Sequence, residues 1–155
     1  MTREEGITTA ARMVLALEKH STDRDTQVGC VITEEDCVRV LAVGANHHTD
    51  GVEPDVENTT RPEKYDWIEH AERNAIYYAA RMGIPLANTA MHLPGFPCVE
   101  CARAIAQSGV TTLYHGSTEG WDNTRYKFDK SRKILEAAGV SLIERDVHEA
   151  ADSVS

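Results

Sequence analysis

The sequence predicts an α/β fold, and three observations carry that expectation. An apolar stripe at helical spacing opens the chain, two β-rich runs follow it, and beyond residue 70 helical and strand-like stretches alternate. Strands that recur in such alternation lie parallel in one sheet with helices packed on its faces.

The first helix is expected over residues 5–19, where Ile7, Ala10, Ala11, Val14 and Leu17 share a face and Thr2 with Glu5 forms a capping box. "HSTDRD" breaks it. "TQVGCVIT" and "VRVLAVG" are joined by Glu34, Glu35 and Asp36 and read as a hairpin. Residues 45–66 are polar, hold two prolines and read as a long loop, either functional or a disordered excursion. A helix follows from His70 to Met82, closed by Gly83. "TAMHL" is a buried strand, "CVECARAIAQSG" a helix, "VTTLY" a strand, and residues 116–128 a loop. "KSRKILEAAG" gives the last helix and "VSLIE" the last strand, leaving "HEAADSVS" as a frayed tail. Residues 1–155 therefore read as one domain with a core over about 5–144.

Composition narrows the functions open to the chain. Hydrophobic residues at 41% and charged residues at 26% fit a globular protein. No apolar run reaches the roughly 18 residues of a membrane span, and "MTREEGITTAARM" is too polar for a signal peptide, so a cytoplasmic location with no membrane partner is expected. A net charge of -9 argues against a nucleic-acid partner, whose backbone needs clustered Lys and Arg. It leaves room for a small anionic substrate held by two or three local cations. Four cysteines without a secretory signal point to thiols or metal ligands rather than disulfides.

"YDWIEHAERNAIYY" and "PGFPCVECA" carry the chemistry. Cys98 and Cys101 stand three positions apart at a helix start, so both sulfurs reach one ion and the helix N-terminus favours their thiolates. His70, opening another helix, supplies a third zinc ligand. Three ligands leave one tetrahedral position for water, the pattern of a catalytic zinc ion. Zinc lowers the pKa of such a water towards about 7, giving hydroxide at neutral pH. Glu72, two positions past His70, projects into the same cavity as acid/base without being a ligand. H-x-E paired with P-C-x-x-C is the signature of zinc-dependent nucleobase deaminases.

On these motifs the chain resembles the cytidine and deoxycytidylate deaminase superfamily, and within it most closely the deoxycytidylate (dCMP) deaminases. The likeness covers about residues 5–144 and is carried by "TQVGCVIT", "HAERNAI", "PCVECARAI" and "SRKILEAAGVSL". It implies a three-layer α/β/α fold with a five-stranded mixed sheet, a homo-oligomer, and one catalytic zinc ion on His70, Cys98 and Cys101. It also implies that the Ala71 N–H helps hold a pyrimidine and that Asn46 contacts the sugar. The implied reaction is attack of zinc-bound hydroxide on a dCMP-like nucleotide, with Glu72 shuttling protons, to give the uracil nucleotide and ammonia. Two departures stand out. The family's Gly-Tyr-Asn-Gly is replaced by Gly44-Ala45-Asn46-His47, so nucleotide triphosphate regulation is not implied. The long loop also lacks the Cys/His pattern that holds a second zinc in some relatives, and His47 and His48 read as a solvated pair, with metal binding as the alternative.

Trp121, Arg125 and Tyr126 interleave aromatic and basic character, which suits base stacking and phosphate contact as well as simple core closure. Lys19 and Arg24 are further phosphate candidates. His92 reads as core or a supporting residue, Arg73 as a surface or interface charge, Asn74 as a support for the metal site or a cap, and Trp67 as an anchor or part of the mouth. The zinc motif activates water and does not read the ring. A free base or nucleoside substrate (cytosine, guanine, cytidine), nucleic-acid editing, and an inactive zinc-binding interaction domain therefore stand as alternatives.

Overall fold

The computed structural model describes residues 1–153. Helix α1 (Arg3–Glu18) starts at the expected capping box, with Thr2 and Glu5 each bonding the other's backbone N–H. The hairpin forms as β1 (Gly29–Glu34) and β2 (Val40–Ala45), and a small excursion follows: β3 (His47–His48), α2 (Val56–Thr59), α3 (Lys64–Trp67) and β4 (Ile68–Glu69). Next come α4 (Ala71–Met82), β5 (Thr89–His92), α5 (Val99–Ser108) and β6 (Val110–His115). The chain continues through α6 (Asn123–Tyr126), α7 (Phe128–Ala137), β7 (Ser141–Glu144) and α8 (Val147–Asp152).

The main sheet has five strands in the order β2-β1-β5-β6-β7. β1 is antiparallel to both its neighbours, whereas β5, β6 and β7 run parallel, so the sheet is mixed, as expected for the α/β class. Period-2 alternation splits the strands between two cores. Cys30, Ile32, Met91 and Leu113 meet α4, α5 and α7 on one face, while Val31 meets α1 and α8 on the other.

Small residues let α4 lie close to the sheet. Ala71, Ala75 and Ala79 form its inner stripe, all fully buried. Opposite them on β2, a Cβ on Gly44 would fall 2.3 Å from the Ala71 carbonyl oxygen. Gly83 closes α4 in the left-handed region at φ 67°, where a side chain would be strained.

Four expectations need correction. The tail is not frayed through its length: Asp146 caps α8 by accepting bonds from the His148 and Glu149 N–H groups, and Val147, Ala150 and Ala151 bury themselves against α1. Val154 and Ser155 lie outside the described residues. Residues 45–66 hold short regular elements, pinned by side chains that take up their backbone groups. Asn58 Nδ2 donates to the Glu53 carbonyl, and the His48 ring nitrogens meet Thr22 Oγ1 at 2.8 Å and the Asn58 carbonyl at 3.1 Å. His48 is thus buried and engaged at both nitrogens, not solvated and not free to bind a metal. Within 116–128, Asp122 caps the single turn of α6.

Candidate active site

The two motif helices bring their N-termini together. His70 is the N-cap of α4 and Cys98 the N-cap of α5, so both side chains project from helix starts, where exposed N–H groups favour negative charge. His70 Nδ1 lies 3.5 Å from Cys98 Sγ and 3.5 Å from Cys101 Sγ, and the three donor atoms all fall within 4.8 Å of one another. Tetrahedral zinc, at about 2.3 Å from sulfur and about 2.0–2.1 Å from nitrogen, would set N···S separations of about 3.6 Å. The donor set and its spacing fit a zinc ion. Cys101 is fully buried and Cys98 nearly so. A hydrogen bond with Cys101 holds the pKa of the Cys98 thiol down to about 3, against the opposing effect of burial, while that of Cys101 is pushed well above its usual range.

Glu72 occupies the first turn of α4 and is 6% exposed. Burial raises its pKa, with His70 opposing. Among the described residues no Lys or Arg pairs with its carboxylate. It lines a cleft together with His70, Ala71 and Cys98.

Asn46 lines the cleft, but two of its polar positions are already engaged. Oδ1 accepts from the Val28 N–H at 2.8 Å and Nδ2 donates to the Thr26 carbonyl at 2.7 Å, which fixes the entry to β1. One amide hydrogen and one lone pair remain for a ligand. Ala71 also lines the cleft, and its N–H belongs to the first helical turn, which has no intrahelical acceptor. Trp121 and Tyr126 are cleft residues, packed edge to face at 6.0 Å, with Tyr126 stacked on Phe128. Arg125 does not line the cleft: its guanidinium lies over the Tyr65 ring, 3.1 Å from the centroid. Lys19, Arg24 and Trp67 are likewise absent from the lining.

Of the two readings of Arg73, the structure favours an interface charge between elements of this chain over a solvated one. Arg73 is partly buried and joins the two motif helices through ion pairs with Glu69 and Glu100. Asn74 Nδ2 donates to the Ala45 carbonyl at 2.8 Å, tying α4 to the end of β2. His92 lies on the α1 face of the sheet, stacked on Tyr114, and belongs to the core.

Sequence reasoning passed over Lys64. It is 1% exposed, lines the cleft, and its Nζ donates to Asp23 Oδ1 at 2.8 Å, Asp23 Oδ2 at 2.9 Å and Asp25 Oδ2 at 2.9 Å. This cluster binds the 45–66 excursion to the segment before β1 and brings Tyr65 to the cleft. No local signal marks it, because a lysine in a polar loop is ordinarily solvated.

Residues 4–117 match the model of the cytidine and deoxycytidylate deaminase zinc-binding region. The chain belongs to this deaminase family. It is 38% identical over 94 residues to an uncharacterized deaminase in the luxG 3′ region of Aliivibrio fischeri, a match covering 61% of this chain and 60% of that protein. To a probable deoxycytidylate deaminase of Drosophila melanogaster it is 32% identical over 134 residues, covering 79% and 63%. The chain thus spans less than two thirds of either relative. The dCMP deaminase of cyanophage S-TIM5, solved in complex with dCMP and dUMP, superposes with a TM-score of 0.71 at 21% identity, covering 88% of this chain and 94% of that one. That likeness concerns the fold. Among the described residues of this deaminase-family chain, no helix is long and apolar enough to cross a membrane.

Proposed function

We propose that residues 1–155 act as one zinc-dependent hydrolytic deaminase domain, converting a cytosine nucleotide of the dCMP type to the uracil nucleotide and ammonia. The observation that carries this reading is the meeting of His70, Cys98 and Cys101 at zinc-ligand spacing in a cleft where Glu72 stands buried and without a cationic partner. A zinc ion there would supply Lewis-acid activation of water at neutral pH. A purely structural zinc site needs no such carboxylate. The relatives named deoxycytidylate deaminases, and the dCMP complex of the phage enzyme, support the choice of substrate.

His70, Cys98 and Cys101 would hold the metal, and the bound cation would favour both thiolates. Glu72 accepts a proton from the attacking water and passes it to ring N3, then delivers the second water proton to the departing amino group. One carboxylate serves both transfers because it is protonated in the first and released in the second. The Ala71 N–H and the free positions of Asn46 orient the ring and the sugar, and Trp121 and Tyr126 shield the base from bulk water. A cytoplasmic, self-associating protein completes the proposal, the exposed Tyr77, Tyr78 and Met82 of α4 supporting self-association.

Ammonia release from dCMP, deoxycytidine, CMP, cytosine and guanine tests the reading. Glu72→Gln is expected to keep its zinc, measured by metal analysis, and to lose roughly 100- to 10,000-fold in turnover. An active, zinc-replete Gln variant would overturn the role of Glu72. Turnover of another compound with none of dCMP would overturn the substrate.

A further inference from the structure

The cleft must place any phosphate near a cation, and Lys64 is unavailable. Its three protons all point at Asp23 and Asp25. Two other cations flank the same tyrosine. Arg125 lies over the Tyr65 ring, 3.1 Å from its centroid, and among the described residues no carboxylate pairs with it. Arg61 approaches from the other segment. Its Nε is 3.6 Å from Asp25 Oδ2, a carboxylate that Lys64 already holds at 2.9 Å, and its side chain is 56% exposed. The charge of Tyr65 is the main influence raising the Arg61 pKa, and Asp25 also raises it.

Tyr65 and Tyr126, the neighbours of these cations, line the cleft that holds Glu72. Three cations around one tyrosine, against the two carboxylates of the Lys64 cluster, stand out in a chain of net charge -9. Two guanidiniums beside the cleft-lining Tyr65, one of them without a carboxylate partner among the described residues, are suited to a phosphate, which accepts paired N–H bonds.

We propose that Arg61 and Arg125, framing Tyr65, form the subsite for the 5′-phosphate and give the cleft its preference for a monophosphate over a nucleoside. Lys64 is the positioning residue: clamped by Asp23 and Asp25, it fixes the 61–65 segment so that Arg61 and Tyr65 face Arg125. The inference rests on the deaminase reading above and deepens it.

The test uses the zinc-loaded full chain and its Arg61→Gln and Arg125→Gln variants, with thermal melts to check folding. Product binding by calorimetry, dUMP against deoxyuridine, is measured beside kcat/KM for dCMP against deoxycytidine. A charge-assisted contact of about 1.5–3 kcal/mol corresponds to roughly ten- to a hundredfold. Each variant is expected to narrow the dUMP-to-deoxyuridine affinity ratio by that factor, and the dCMP-to-deoxycytidine ratio likewise, mainly through KM. Unchanged ratios in both variants, or a wild type that binds deoxyuridine as tightly as dUMP, would overturn the subsite. Arginine-dependent dUMP binding without ammonia from any substrate would keep the subsite and refute the deaminase reading instead.

Discussion

His92 should make the protein lose stability on mild acidification. It is 4% exposed on the α1 face of the sheet, its Nε2 lies 3.1 Å from Thr33 Oγ1, and its ring stacks on Tyr114 at 4.8 Å. Burial brings its pKa from 6.5 down to about 4. The unfolded chain therefore takes up a proton near 6.5, while the folded chain refuses it until about 4. The contribution of His92 to stability is fully present above 6.5 and is lost as the pH falls towards 4. The whole shift corresponds to about 3 kcal/mol, of which about 2 kcal/mol is lost by about pH 5. Urea unfolding of the wild type and His92→Gln at about pH 7.5 and about pH 5 isolates the effect, since all other titrations cancel between the two proteins. The wild type should lose roughly 2 kcal/mol more than the variant over that interval. Equal losses would refute the reasoning. A direct check, needing no variant, is the ring-proton NMR titration: a His92 midpoint near 6.5 would refute it as well.

Two further predictions concern the scaffold of the site. Gly44→Ala would place a methyl 2.3 Å from the Ala71 carbonyl oxygen and 2.7 Å from the Ala75 nitrogen, so α4 must shift and take His70 and Glu72 with it. Overpacking of this kind costs about 1–3 kcal/mol, and the lowered urea midpoint should come with weakened zinc retention. Chelation of the metal should expose the Cys98 and Cys101 thiols to a thiol reagent under native conditions, while Cys30 and Cys37, 0% and 1% exposed in the core, react only after unfolding. Four thiols reacting at one rate after chelation would show that the metal holds the whole fold and not the site alone.

The parts of this protein that depend on near neighbours in the chain were legible in the sequence. Thr2 with Glu5, the glycine after Met82, and Cys98 three positions before Cys101 are local patterns, and each is found where the spacing puts it. The sheet followed from the same logic, since alternating helical and strand periodicity leaves few topologies. The candidate site was legible because its donors sit at the first positions of two helices, so that packing α4 beside α5 is enough to bring them together.

Other features arise only when distant segments meet in the folded chain. Lys64 is buried because Asp23, 41 positions earlier, and Asp25 meet its ammonium, and without them the cost of desolvation would keep it in water. His48 turns inward because Thr22 and Asn58 take up both its ring nitrogens. The stripe Val147, Ala150 and Ala151 becomes a helix rather than a tail because α1 leaves an apolar face for it to cover. Arg125 rests on Tyr65, 60 positions away in the chain, where no periodicity relates them. A charged or polar group has two stable places, solvent or a satisfied partner, and chain-local patterns do not say which partner the fold will bring to it.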